Sequence, residues 1–159
     1  MKNKQFIYLI LFFALALFSC ESKTIISDSK KIENEVWNIG VPVNLELEVN
    51  DISKFYNLFI NVNVKEDFLT NNLWLFISTK SPSGNVQTDT VMYYVTDEKG
   101  KWFGDKSGDI VKNKFVYKPN IKFPEQGKYL FSISHGMREM DLPKVSLVGV
   151  TAEEVVEDK

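Results

Sequence analysis

Two patterns of apolar and polar residues divide this chain. From Phe6 to Phe18 the sequence is an unbroken apolar run with no polar face, preceded by Lys2 and Lys4 and ending at Leu17-Phe18-Ser19-Cys20. Beyond it the dominant period is two. Val43, Leu45, Leu47 and Val49 alternate with Asn44, Glu46, Glu48 and Asn50, and Tyr56, Leu58, Ile60, Val62 and Val64 alternate with Asn57, Asn61 and Asn63. Alternation of this kind predicts strands with one face buried, so Tyr56, Leu58, Ile60 and Val62 should point inward together. Leu73-Trp74-Leu75-Phe76-Ile77 is apolar at every position, which predicts a central strand covered on both faces. On that reading Trp74, like Trp37, belongs to the core.

Turn chemistry separates the remaining strands. Ser81-Pro82-Ser83-Gly84 joins the Leu73 strand to a β-branched and aromatic segment, Val86 to Val95, as a hairpin. A polar stretch from Asp97 to Asn113 reads as a loop, followed by a short strand at Phe115–Tyr117 that Pro119 stops. After Phe123-Pro124-Glu125-Gln126-Gly127, the residues Tyr129, Phe131, Ile133 and His135 share one strand face, and a last strand covers Val145 to Thr151. No segment past Cys20 carries a helical stripe over three turns. Eight or so short strands spaced by turns predict an all-β chain, an antiparallel β-sandwich of Ig-like or jelly-roll type.

The apolar run changes the domain picture. Thirteen residues are too few for a permanent span, which needs roughly 20, but a basic start, a short apolar stretch and a small residue before a cysteine mark an exported leader. Leu17-Phe18-Ser19-Cys20 resembles a bacterial lipobox, so residues 1–19 are expected to be a lipoprotein signal peptide and Cys20 the lipid attachment site. Cys20 is also the only cysteine, so the chain can hold no internal disulfide. Residues 20–33 are expected to be the lipidated N-terminus and tether, 34–152 the sandwich domain and 153–159 an acidic tail. One acyl chain anchors only marginally; the several carried by such lipoproteins would hold the protein to a membrane. Losing the leader removes two of the 19 basic residues against 21 acidic ones, leaving a net charge of −4, which argues against nucleic acid as a partner.

A search for catalytic chemistry finds little. His135 is the single histidine; it excludes a multi-histidine metal site and suits a structural, hydrogen-bonded role better than a triad. Asp105 and Asp109 flank a tight turn that Asp97 could join, as in a calcium loop, but the spacing is incomplete, Lys106 lies inside, and solvated carboxylates are the better reading. No metal, cofactor or small-molecule substrate is implied. Trp102 and Phe103 stand in a polar loop, where they either grip a partner or a sugar face or, for Trp102, plug the loop onto the sheet. Met137, Arg138 and Met140 form a second candidate partner surface, since Met and Arg are enriched at interfaces, unless Arg138 is held by Glu139 or Asp141.

From Asp89 onward the chain resembles the GldH family of gliding-motility lipoproteins. The resemblance rests on Asp97-Glu98-Lys99-Gly100-Lys101-Trp102-Phe103-Gly104, Gly108-Asp109-Ile110, Phe123-Pro124-Glu125-Gln126-Gly127-Lys128-Tyr129, Met137-Arg138-Glu139-Met140-Asp141-Leu142-Pro143 and Val148-Gly149-Val150. The Asn57-Leu58-Phe59-Ile60 strand and the lipobox also fit. Lys144 stands where the family pattern carries glycine, which marks a divergent member. The resemblance implies a non-enzymatic, lipid-anchored envelope protein of the gliding machinery, a machinery linked to type IX secretion, with other envelope proteins as partners. Glu21-Ser22-Lys23 lacks the acidic run of a surface-export signal, so an outer-membrane anchor facing the periplasm is expected. The competing reading is an envelope lipoprotein whose sandwich binds carbohydrate through Trp102 and Phe103.

Overall fold

The computed structural model describes residues 23–156. The expected leader 1–19, the attachment site Cys20 and residues 157–159 of the acidic tail lie outside them. Among the described residues the chain forms β1 (Ile25–Lys31), β2 (Val36–Asn38), β3 (Val43–Val49), β4 (Tyr56–Lys65), β5 (Asn72–Lys80) and β6 (Val86–Tyr94), then β7 (Asp105–Ser107), β8 (Ile110–Ile121), β9 (Gly127–His135), β10 (Asp141–Pro143) and β11 (Val145–Glu154). All pairings are antiparallel. A five-stranded sheet ordered β1-β11-β4-β8-β7 faces a four-stranded sheet ordered β3-β9-β5-β6, with β10 and β2 as a small third pair. The expected all-β sandwich is therefore the fold.

The alternating positions do what their period dictates. Leu45, Leu47 and Val49 of β3, Leu73, Leu75 and Ile77 of β5 and Phe131 and Ile133 of β9 are buried from one sheet. Tyr56, Leu58, Ile60, Val62 and Val64 of β4 and Val150 and Ala152 of β11 are buried from the other. Trp37, on β2, closes one end against His135, with ring centroids 5.3 Å apart and edge-on. The inward register expected for β4 holds at all five alternating positions, Tyr56 to Val64, with Phe59 on the opposite face.

Four expectations need correction. The tether to residue 33 is too long: Ile25–Lys31 pairs along its whole length with β11, Ser27 opposite Thr151. Its alternating residues are mostly polar because β1 is an edge strand lying over little core, so the hydrophobic signal that marks inner strands is missing. The acidic tail likewise begins late, since Glu153 and Glu154 are still in β11, opposite Asn57 and Tyr56 of β4. The strand at 115–117 is part of a twelve-residue β8. It runs through Pro119 because the β4–β8 register shifts at Leu58, where Asn120 takes φ +50 and the irregularity spares the ladder a missing N–H. Finally, Trp74 is not in the core, and its strand is covered on one face only.

Candidate interaction surface

A two-layer sandwich covers one face of each sheet. Leu73, Leu75 and Ile77 of β5 take the covered face, so their neighbours Trp74 and Phe76 must point to solvent, where they are 42 % and 43 % exposed. The β5–β6 register sets Trp74 beside Met92, Phe76 beside Thr90 and Asn72 beside Tyr94, and Tyr94 is itself exposed. The outcome is a contiguous patch of Trp74, Phe76, Met92 and Tyr94 on the outer face of the four-stranded sheet. Contiguous exposed apolar patches on otherwise polar surfaces mark interaction sites.

The segment after β9 completes this surface. Gly136 N–H donates to the Trp74 carbonyl at 2.7 Å, and Trp74 N–H donates to the Met137 sulfur at 3.4 Å. A Cβ at Gly136 would come within 2.9 Å of the Phe76 ring, so a larger residue there would have to displace the ring. Met137 is drawn in against the core, and Arg138 and Glu139 emerge beside Trp74. Together with Thr70 and Asn72 they line a groove of about 460 Å³. Among the described residues Arg138 forms no ion pair within 4.0 Å, and Asp141 instead accepts a hydrogen bond from Asn38 at 2.6 Å. The guanidinium is thus available to a partner. Met140 lies further out, 70 % exposed.

The other candidate pair divides. The loop from Asp97 closes as a small hairpin: Phe103 N–H donates to the Val95 carbonyl, Asp97 N–H to the Lys101 carbonyl, and Asp97 carboxylate accepts from the N–H groups of Lys99 and Lys101. Trp102, opposite Thr96 in this turn, is half-buried against the core, whereas Phe103 is 64 % exposed. Of the two readings open to Trp102, the plug is the one its packing fits. Asp97 is thereby engaged in its own turn and Asp109 in an ion pair with Lys65 at 2.8 Å, which holds its carboxyl below the usual range. Asp97 and Asp109 are thus already engaged by groups of the chain itself.

His135 is fully buried. Its Nδ1 accepts from Met137 N–H at 3.4 Å, and burial pushes its pKa down, offset in part by the nearby carbonyls of Trp37 and Met140. Neither carbonyl satisfies Nε2, which has no hydrogen-bond partner among the described residues. Among the described residues no serine or carboxylate is hydrogen-bonded to it; it fills the end of the core beside Trp37. Sequence reasoning missed Trp74 and Phe76, although the signal was present: a strand apolar on both faces, with no helical stripe over three turns anywhere past Cys20 to supply a third layer, has to leave one face open.

The chain has relatives of known family. A family profile described as GldH lipoprotein matches residues 24–152. The chain is 35 % identical over 139 residues to a gliding motility lipoprotein GldH homolog of Christiangramia forsetii, covering 87 % of this chain and 85 % of that one. It is 34 % identical over 145 residues to the gliding motility lipoprotein GldH of Flavobacterium johnsoniae, covering 90 % and 89 %.

Proposed function

This chain belongs to the GldH lipoprotein family, and from that premise we propose that it is a non-catalytic, lipid-anchored envelope component of the gliding-motility machinery that works by protein contact. Cys20 is the attachment point, and the domain faces the periplasm from the outer membrane. The observation that carries the reading is the outer patch of Trp74, Phe76, Met92 and Tyr94, continuous with the groove of Met137 and Arg138. Aromatic, methionine and arginine side chains are the residues that dominate protein interfaces, and an arginine without an ion-pair partner at the rim supplies a specific contact to a carboxylate. Phe103 and Met140 are further exposed apolar contacts.

The test is motility with the protein still in place. Trp74→Ala and Arg138→Ala should each leave the amount of membrane-bound protein and its melting temperature near wild type while movement over a surface is lost. Cys20→Ala should separate the anchor from the patch, abolishing fatty-acid labelling and releasing a folded domain from membrane pellets. Cells that glide normally with both Trp74→Ala and Arg138→Ala would overturn the patch as the working surface. The same groove also favours a second reading, because Trp74 flanked by Asn72, Thr70 and Arg138 is the arrangement of a sugar platform. Binding of envelope polysaccharide that Trp74→Ala removes would decide for it.

A further inference from the structure

A sandwich has free strand edges, each a template for pairing with another chain unless guarded. Here nearly all are guarded. The β3 edge is capped by Asp28 of β1, whose carboxylate accepts from Glu46 N–H at 2.9 Å. β1 itself carries Lys30 and Lys31, and β7 is three residues long with two charges. Where β8 extends past β7 it carries Lys114, Lys118 and Pro119, and its Val116 carbonyl accepts from the Tyr93 hydroxyl at 3.1 Å.

β6 has the fewest of these devices, its single charge being the inward-facing Asp89. Val86–Tyr94 pairs with β5 alone, in unbroken register over nine residues, without proline, lysine or bulge. Val95 N–H donates to the Asn71 carbonyl; continuing that ladder makes Tyr93, Val91, Asp89 and Gln87 the residues bonded to β5. The backbone groups of Val86, Thr88, Thr90, Met92 and Tyr94 therefore point to the free edge. The strand is also held stiffly. Tyr93 stacks on Phe115 at 4.4 Å, and the one charge on β6, Asp89, faces inward, where it accepts from the Tyr117 hydroxyl at 2.5 Å and pairs with Lys118 at 2.8 Å.

We propose that β6 is a self-pairing edge: a second copy of this chain adds its own β6 antiparallel, about a two-fold axis at Thr90. In that register Thr90 faces Thr90, Thr88 faces Met92 and Val86 faces Tyr94, all hydrogen-bonded pairs of β-branched, apolar or aromatic side chains. Asp89 faces Val91, so no like charges oppose. The two four-stranded sheets become one sheet of eight, and the outer patches of both copies remain open to other partners.

The register makes the proposal testable on the full chain in detergent. Thr90→Cys places two sulfurs on Cα atoms about 5.5 Å apart, within disulfide range, whereas Thr88→Cys leaves them about 14 Å apart. Mild oxidation should crosslink Thr90→Cys and neither Thr88→Cys nor wild type, the last controlling for Cys20. Sedimentation should give twice the chain mass for wild type and the monomer for Thr90→Pro, which removes an edge-facing N–H only. Thr90→Lys, which sets two like charges opposite each other, should also be monomeric and covers the case in which the proline variant fails to fold. A wild-type monomer at tens of micromolar, or equal crosslinking at positions 88 and 90, would overturn the proposal. These readouts are crosslinking and mass, not motility, so their failure is distinct from a failure of the patch of Trp74 and Arg138.

Discussion

Lys144 takes a conformation at odds with its chemistry. It takes φ +70 between β10 and β11, a region where a side chain costs roughly 1–2 kcal/mol and glycine does not. The resemblance placed glycine at this position, and the backbone explains why: the turn from Pro143 into Val145 needs the left-handed conformation, and Lys144 carbonyl accepts from Lys65 N–H at 2.9 Å to hold it. What lysine adds is an exposed ion pair with Asp67 at 2.9 Å, worth under about 1 kcal/mol. Lys144→Gly should therefore hold or slightly raise the melting temperature. Lys144→Val, a β-branched residue forced to positive φ, should lower it by several degrees. Thermal unfolding of the two variants side by side checks this; a glycine variant less stable than the valine variant would show that the ion pair, not the backbone, governs the site.

Among the elements, the hairpin from Val95 to Gly104 best separates structure from contact. Its ends are tied by the Val95–Phe103 and Asp97–Lys101 hydrogen bonds, and it packs back on the sandwich through Trp102. Gly104 lies where a Cβ would meet the Lys112 carbonyl at 2.6 Å, so the chain passes close against β8. Truncating a buried tryptophan costs about 3–5 kcal/mol, and a half-buried one should cost less, about 2 kcal/mol. Trp102→Ala is thus expected to be destabilising in denaturant unfolding, while Phe103→Ala stays within about 0.5 kcal/mol of wild type. Equal stability of the two variants would put Trp102 back among the contact residues. The contrast with Trp74 is instructive: the tryptophan in the loop is packed, and the tryptophan in the strand is presented.

At the scale of the whole molecule, stability should depend on pH through His135. Burial holds its folded-state pKa below the ordinary 6.5, so the unfolded chain takes up the proton first. By linkage its contribution is complete above about pH 6.5 and is lost as pH falls from there toward the folded value. The carboxylates held below their ordinary values, Asp89 by Lys118 and Tyr117 and Glu153 by Lys114 and Lys23, also favour the fold at higher pH, but their loss comes below about pH 4.5. A melting temperature that falls between pH 7 and pH 5 in wild type, and is flat there in His135→Gln, is the expected result; a wild-type curve flat over that window would contradict it. His135 also links the closed end of the core to the surface, since it touches Trp37 of β2 and accepts from the N–H of Met137, which lines the groove.

The periodic positions of β3, β4 and β9 were legible in the sequence because each alternates cleanly between a covered and an open face, and that alternation alone fixes strand, register and inward side chains. The all-β class and the family resemblance rest on the same local information. What tertiary structure decided are the features whose residues carry no period. β1 is a strand only because β11 offers it a ladder, and β8 passes Pro119 only because a register shift excuses the missing donor. Trp102 and Trp74 could not be assigned by residue type, since burial is set by what lies above a side chain. That depends on how many layers the fold has, which here is two, so the outer face of β5 stays open and the interaction surface lies there.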